Sequence, residues 1–191
     1  SKSTKKHDAE KRRIKGYKCL FIAKEKLKHI VSKEALNIDG LGKKVIEQFW
    51  KLNLIKEPSD IFDLDYNKIK KLEGWGELSI NNLKKAIIKS KSISLDKFIY
   101  TVGIRHIGQE NAKILASFFS SIKEFTKLLD YKKRKKILLN LVDLDGIGET
   151  QIDSINNFFF NKINVKNIKN LLDKLIIENY ILKNVEGKFS N

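Results

Sequence analysis

The apolar residues of this chain recur mostly at helical spacing. Leu27, Ile30 and Val31 occupy positions i, i+3 and i+4, so they lie on one face of a helix. The same spacing recurs within residues 45–50, 83–87 and 114–119. Strict alternation of apolar and polar residues is hard to find, and the best strand candidate is the short stretch 180–182. The pattern predicts an all-α protein with many short helices.

Four short segments between these helices share one pattern, in which an apolar residue leads into a tight turn and a glycine precedes the next helix. The four segments, which we number turns 1 to 4, are Ile38-Asp39-Gly40-Leu41-Gly42, Leu72-Glu73-Gly74-Trp75-Gly76, Val102-Gly103-Ile104-Arg105-His106-Ile107-Gly108 and Leu144-Asp145-Gly146-Ile147-Gly148. His106 holds the place that the first glycine holds in the other turns, and these places are 34, 32 and 40 residues apart. Such a period indicates an internal structural repeat.

The two glycines of each turn are predicted to have different roles. The first takes a positive φ without strain, and histidine tolerates this conformation better than most residues do. The middle apolar residue is expected to turn inward, and the second glycine to open the next helix. The first N–H groups of a helix have no intrahelical acceptor and lie at the positive end of its dipole. The pattern therefore predicts a backbone clamp for a phosphate, which carries no base information.

The charge of the chain also points to a polyanion. There are 39 lysines and arginines against 23 acidic residues, a net charge of +16, and residues 1–30 carry half of it. All but four of the basic residues are lysines, which suit phosphate better than the edge of a guanine. We therefore expect a nucleic-acid-binding protein that does not read sequence. The alternative is a soluble protein from a lysine-rich proteome.

The predicted DNA-binding residues lie in and beside the four turns. They are Gly40, Gly42, Lys43, Lys44, Gly74, Gly76, Gly103, Arg105, His106, Gly108, Gly146 and Gly148. Lys43 and Lys44 follow turn 1, whereas acidic residues follow the other turns. Since an acid there repels a phosphate, turn 1 is predicted to be the best contact and turns 2 and 4 to be more structural. The basic stretch 131–136 is interpreted as a solvated helix face, with a second backbone contact as the alternative.

Several other classes of function are not supported. The single cysteine, Cys19, excludes an internal disulfide. The chain has no apolar run long enough to span a bilayer and no visible signal peptide, so we expect a cytoplasmic location and no membrane partner. It has no phosphate-binding loop with Lys-Ser/Thr, no paired-carboxylate site and no Ser/His/Asp constellation. No catalytic residue is predicted.

The four turns resemble the helix-hairpin-helix motif of non-sequence-specific DNA-binding proteins. The run His29-Ile30-Val31-Ser32-Lys33, followed by Asp39-Gly40-Leu41-Gly42, is similar to the start of the helix-hairpin-helix domain in bacterial NAD-dependent DNA ligases. The stretch 98–108 is close to that family's third hairpin, and the resemblance covers about residues 19–185. It predicts a tandem array of four helix-hairpin-helix motifs.

The resemblance implies a duplex-binding module that grips the DNA backbone through the minor groove around a nick. It implies nicked double-stranded DNA and the other domains of the same ligase as partners, and we expect a monomer. NAD, magnesium and zinc are implied for the parent enzyme, and none of them for this segment alone. The family's Lys-x-Asp-Gly adenylation motif is absent, and the nearest match, Lys71-Leu72-Glu73-Gly74, has glutamate for aspartate and falls in turn 2. We therefore expect no catalytic activity from the segment alone.

The resemblance also suggests how the chain is organised. Residues 1–18 are predicted to be a flexible basic arm, and residues 19–30 a remnant of the family's four-cysteine zinc finger with the helix that leads into the hairpins. Residues 31–176 are the tandem domain, and 177–191 a tail toward a missing BRCT domain. Cys19 stands where the last zinc-binding cysteine is expected, and the other three are absent. It is either an orphaned ligand or a small, partly buried thiol.

Two other readings stay open. One is a tandem helix-hairpin-helix accessory protein of DNA repair or junction processing, which usually has two hairpins rather than four. The other is a helical protein-interaction domain whose basic charge is incidental. Salt-insensitive or absent DNA affinity would favour the latter.

Overall fold

The computed structural model describes residues 2–181, and in this range the chain is mainly helical. The helices are α1 (Lys2–Val31), α2 (Lys43–Lys51), α3 (Tyr66–Lys70), α4 (Glu77–Ser90), α5 (Leu95–Thr101), α6 (Gln109–Phe119), α7 (Ile122–Phe125), α8 (Tyr131–Leu141), α9 (Glu149–Phe160) and α10 (Lys162–Leu172). Two short 3-10 helices cover Pro58–Asp63 and Thr126–Leu129, and two three-residue strands are β1 (Ser92–Ser94) and β2 (Ile176–Glu178). The predicted all-α class is confirmed. No helix in the described range is both long and apolar enough to cross a bilayer.

The chain divides into two compact units. Unit 1 comprises the residues up to Lys91 together with Asn167–Lys174, and unit 2 comprises Ser92–Lys166 and the residues from Leu175 onward. Turns 1 and 2 therefore belong to unit 1, and turns 3 and 4 to unit 2. The sequence predicts one tandem domain over 31–176, and the structure differs by separating it into two pairs of turns.

Helix α1 begins earlier than the sequence suggests. Residues 2–18, predicted to be a flexible arm, form the first part of this helix. The segment contains no proline, and its lysines, arginines, alanine and glutamate all favour helix. The described side chains between residues 4 and 22 are exposed. Burial begins near the end of α1, where Leu27, Ile30 and Val31 form the predicted apolar face.

An ion-pair cluster connects the end of α1 to α2 in unit 1. The Nζ atoms of Lys28 and Lys24 lie 2.7 and 3.1 Å from the carboxylate of Glu47. Lys28 also contacts Glu25 at 3.0 Å. These hydrogen bonds, that of Lys28 above all, lower the pKa of Glu47 below its ordinary value of 4.5. Its charged form is therefore stabilised by folding.

This cluster predicts a pH-dependent contribution to stability. Because the folded-state pKa of Glu47 is lowered, its contribution is present above about pH 4.5 and is lost as the pH falls through the folded-state pKa. Glu47→Gln is expected to be less stable than the wild type at pH 7, and the difference should shrink toward pH 3. Urea unfolding at both pH values measures it. Glu34→Gln, at an exposed position, is the control, and a pH-independent difference for Glu47→Gln would contradict the prediction.

Unit 2 has an aromatic core and a small parallel sheet. Phe125 lies at the centre of the aromatic cluster, in contact with the rings of three other phenylalanines: Phe98, Phe119 and Phe159. Strand β1 pairs with β2 in parallel, from Ser92 opposite Ile176 to Ser94 opposite Glu178.

The second strand precedes the predicted stretch 180–182. Tyr180 lies outside the strand and donates its N–H to the carbonyl of Ser120 at 2.9 Å, and Leu182 lies outside the described residues. The strand forms at Ile176–Glu178 because β1 pairs with it there, a contact between segments more than 80 residues apart. Of the tail predicted for 177–191, residues 182–191 are also outside the described range.

Candidate nucleic-acid interface

The four turns have the same backbone geometry. In each, the N–H of the middle apolar residue donates to the carbonyl three residues earlier, at 3.1 to 3.2 Å: Leu41 to Ile38, Trp75 to Leu72, Ile107 to Ile104 and Ile147 to Leu144. The residue before each donor has a positive φ: +93° at Gly40, +83° at Gly74, +64° at His106 and +86° at Gly146. This is the hydrogen bond and the third-position φ of a type II β-turn. The predicted left-handed conformation is confirmed in all four turns, including the one with histidine.

The middle residues anchor the turns to the two cores. Leu41, Ile107 and Ile147 are buried, as predicted. Trp75 is only half-buried, and its ring lies 5.5 Å from that of Phe49 in unit 1. The indole is larger than the aliphatic side chains of the other turns, so part of it stays in solvent while one side packs on Phe49.

The second glycine of each turn is the N-cap of the following helix, as predicted. Gly42, Gly76, Gly108 and Gly148 precede α2, α4, α6 and α9 and have extended backbones. The carbonyl of Gly42 accepts the N–H of Ile46 at 3.0 Å, and the other three glycines accept the equivalent hydrogen bond. The N–H groups that precede this first donor have no acceptor in the helix backbone.

Side chains cap two of these glycines and leave the other two open. The N–H of Gly148 donates to Oε1 of Gln151 at 2.9 Å, and that of Gly108 to Oδ1 of Asn111 at 3.4 Å. Among the described residues, no hydrogen-bond acceptor contacts the N–H of Gly42 or Gly76. Each of turns 1 and 2 therefore has one more free N–H donor than each of turns 3 and 4. The glycine pattern alone does not reveal this difference, although the amides at 111 and 151 are visible in the sequence.

The two turns of unit 1 differ in their local charge. Lys43 and Lys44 are exposed in the first turn of α2, directly after Gly42. After turn 2, Glu77 forms an ion pair with Lys70 at 2.9 Å, and this contact lowers the pKa of Glu77. Turn 1 therefore has free positive charge at its helix start, whereas at turn 2 one lysine and one glutamate neutralise each other.

The two turns of unit 2 differ more strongly. Arg105 and His106 are exposed in turn 3, where Glu110 is paired with Lys113 at 3.0 Å. Turn 4 is flanked by three exposed acids, Asp143, Asp145 and Glu149, and no lysine or arginine occurs between residues 142 and 150. Of the four turns, turn 4 has the least favourable charge for a phosphate.

Gly103 has a different place from the other glycines of the predicted site. It follows the end of α5, with a φ of +73°, and its N–H donates to the carbonyl of Tyr100 at 3.2 Å. The C-terminal end of a helix carries partial negative charge, which does not attract a phosphate. Its geometry is that of a residue that reverses the chain at the start of turn 3, before the β-turn at residues 104–107.

Within each unit, one turn packs on the helix that follows the other turn. A Cβ added at Gly40 would lie 3.6 Å from Cδ1 of Leu83 in α4. A Cβ added at Gly146 would lie 2.5 Å from Cδ1 of Ile114 in α6. Nδ2 of Asn111 also donates to the carbonyl of Gly146 at 2.9 Å. The turns are thus paired, 1 with 2 and 3 with 4.

Comparison with known proteins agrees with this geometry. A family described as helix-hairpin-helix motif matches residues 97–168, which contain turns 3 and 4. The chain is 48% identical over 192 residues to a DNA ligase of Pelagibacter ubique (strain HTCC1062), a match that covers all of this chain. It is 41% identical over 173 residues to a DNA ligase of Rickettsia bellii (strain OSU 85-389), covering 86% of this chain. The chain is homologous to one segment of the DNA ligases.

The homologous segment is a small part of those ligases. The chain spans 28% of the length of the Pelagibacter relative and 25% of the Rickettsia bellii relative. The family match covers only the pair of turns in unit 2. That the chain contains four helix-hairpin-helix motifs therefore stays a prediction.

The charge of this ligase-like segment is concentrated in unit 1. By the bounds of the two units, unit 1 has 25 basic and 13 acidic residues, against 14 and 10 in unit 2. The free N–H groups of Gly42 and Gly76 belong to the same unit. The best electrostatic environment for a polyanion and the most open turns therefore coincide.

Two further sequence predictions have different outcomes. In the stretch 131–136, the lysines are exposed, in agreement with a solvated face, but Arg134 is buried. Cys19 is exposed on α1 rather than partly buried, and residues 2–181 contain no group of three or more histidine, cysteine or acidic side chains placed to hold a metal.

Proposed function

We propose that this chain is the duplex DNA-binding module of a DNA ligase, and that its turns bind backbone phosphates. The observation that supports this most strongly is the second glycine of the turns. Gly42 has a φ of −69° and a ψ of 172°, which any residue adopts, and no heavy atom beyond the adjoining residues lies within 4 Å of an added Cβ. The same holds for the space around Gly76 and Gly108. The fold does not require glycine at these positions.

A ligand outside the chain explains the missing side chains. Serine, aspartate and asparagine are at least as good N-caps as glycine, so helix stability does not select glycine here. A phosphate oxygen that approaches the free N–H groups needs the space that a side chain would occupy. Turn 1, with Gly42, Lys43 and Lys44, is the main phosphate contact in this proposal, and turn 4 contributes least because its acids repel phosphate.

The proposal extends to the parent enzyme. Paired turns contact the phosphates of both strands across the minor groove, and the module grips the duplex around a nick. The parent seals 3′-hydroxyl/5′-phosphate nicks with AMP taken from NAD, and uses magnesium and zinc. The segment lacks the Lys-x-Asp-Gly motif and contributes binding rather than turnover.

Salt dependence tests this function. If about 4 to 6 phosphates are engaged, the logarithm of the affinity should fall with the logarithm of salt concentration with a slope of about −4 to −5. Fluorescence anisotropy with nicked and intact duplexes of two unrelated sequences, at several salt concentrations, measures it. We expect the same slope for both sequences. A flat salt response would favour a protein-interaction domain, and a strong preference for one sequence would contradict a phosphate clamp.

A further inference from the structure

Unit 2 has an apolar groove that is not part of any turn. It lies between α8 and α9 and encloses about 300 Å³. Its apolar lining comes from Tyr131, Leu138, Leu139, Val142, Ile152 and Phe160. Four of these side chains are more than half exposed: Tyr131 by 57%, Leu139 by 66%, Val142 by 63% and Phe160 by 57%. Large apolar side chains exposed together on one surface indicate a site of interaction.

A buried arginine holds one end of this groove. Arg134 is 3% exposed, and its Nη1 donates to the carbonyl of Leu128 at 2.8 Å. Its Nε donates to Oδ1 of the groove residue Asn156 at 3.4 Å. The guanidinium lies 5.6 and 4.8 Å from the ring centroids of Tyr131 and Phe160. These contacts fix the two rings, whose own centroids are 5.8 Å apart.

The charges around this end of the groove are positive. No carboxylate among the described residues forms an ion pair with Arg134, although the nearby charge of Asp130 acts on its guanidinium and partly offsets the lowering of its pKa by burial. Lys135 lines the groove, and the lining contains no acidic residue. Lys132 and Lys136 are exposed on the same helix. The carboxylate of Asp130 is the nearest acid in sequence, and it accepts the N–H of Lys133 as the cap of α8. The opposite end of the groove differs, because the exposed acids Asp143 and Asp153 directly follow the lining residues Val142 and Ile152.

The apolar lining, with lysines at one end only, suits a protein segment better than DNA. Phosphates form contacts with lysines but gain nothing from the exposed faces of Leu139, Val142 and Phe160, whereas a large apolar side chain would cover those faces. We propose that the groove docks a short segment of another protein, in which carboxylates lie on one side of large apolar side chains. The segment's apolar groups fill the groove, and its carboxylates contact Lys135 and the neighbouring lysines of α8.

Binding of a labelled peptide tests the site directly. The probe is a short fluorescein-labelled peptide in which aspartate and glutamate precede a run of leucine and phenylalanine, added to the complete 191-residue chain. Saturable binding is expected, and Leu139→Asp should weaken it at least about tenfold. Ile88→Asp is the matched control, because Ile88 is also 66% exposed but lies in unit 1. Circular dichroism verifies that both variants are folded.

A charge exchange separates docking from nonspecific adhesion. Lys135→Glu should weaken the acidic peptide and strengthen a version of the peptide with lysine in place of its acids. Absence of saturable binding, or equal binding by Leu139→Asp and Ile88→Asp, would overturn the proposal. The affinity for duplex DNA, measured on the same variants, tests whether the groove binds DNA instead of a protein segment. If Leu139→Asp lowers DNA affinity and leaves peptide affinity unchanged, the groove belongs to the DNA interface and the proposed protein site is wrong.

Discussion

Replacing Gly42 by aspartate is expected to weaken duplex DNA binding by about 1 to 3 kcal/mol, roughly 5- to 150-fold, while the protein stays folded. The new carboxylate would occupy the space that we assign to a phosphate oxygen and would repel it. The fold should tolerate the change because the backbone is extended and no heavy atom beyond the adjoining residues lies within 4 Å of the added Cβ. Aspartate is also a good N-cap, so stability should rise by a few tenths of a kcal/mol if it changes.

Two variants with the same substitution control for charge and position. Gly16→Asp in α1 lowers the net charge of the protein by the same one unit. The Cβ added at this position also has no neighbour within 4 Å beyond the adjoining residues, so the variant should stay folded and weaken binding slightly. Gly148→Asp places the carboxylate in the acidic turn 4, where we expect a small effect. Anisotropy titrations at one salt concentration, with melting temperatures alongside, compare the three. Turn 1 is not a phosphate clamp if Gly42→Asp remains folded and binds as Gly16→Asp does.

Phe125→Ala is expected to destabilise unit 2 by about 3 to 5 kcal/mol. Phe125 is 1% exposed, and its ring centroid lies 6.2, 5.3 and 6.0 Å from those of Phe98, Phe119 and Phe159. Removing the ring leaves a cavity at the point where these three side chains meet. Aromatic pairs in edge-to-face geometry contribute beyond the area they bury, so the cost should fall in the upper part of that range.

Urea unfolding followed by circular dichroism measures this loss. The fluorescence of Trp50 and Trp75, both in unit 1, reports on unit 1 separately. Phe118→Ala is the control, because Phe118 is 37% exposed and contacts the cluster through Phe119. It should cost clearly less than Phe125→Ala. Similar losses for the two variants would show that Phe125 is not the centre of the core.

The local geometry of the turns could be predicted from the sequence. A positive φ at residues 40, 74, 106 and 146, and a helix start at each second glycine, follow from residues within five positions of one another. The helical faces were also predictable, because apolar spacing depends on neighbouring turns of one helix. The flexible arm predicted for residues 1–18 is wrong for residues 2–18, which are helical. A high density of like charges is typical of disorder, but the same residues also favour helix.

The sequence by itself determined that four glycine turns open four helices and that the chain is strongly basic. The residues that close two of the turns are local as well, because Asn111 and Gln151 lie three positions after Gly108 and Gly148 and accept their N–H groups, whereas the N–H groups of Gly42 and Gly76 stay free. Only the tertiary structure buried Arg134 beneath two aromatic rings and divided the four turns into two pairs. These features depend on which distant segments pack together, and the spacing of residues along one segment does not encode that choice.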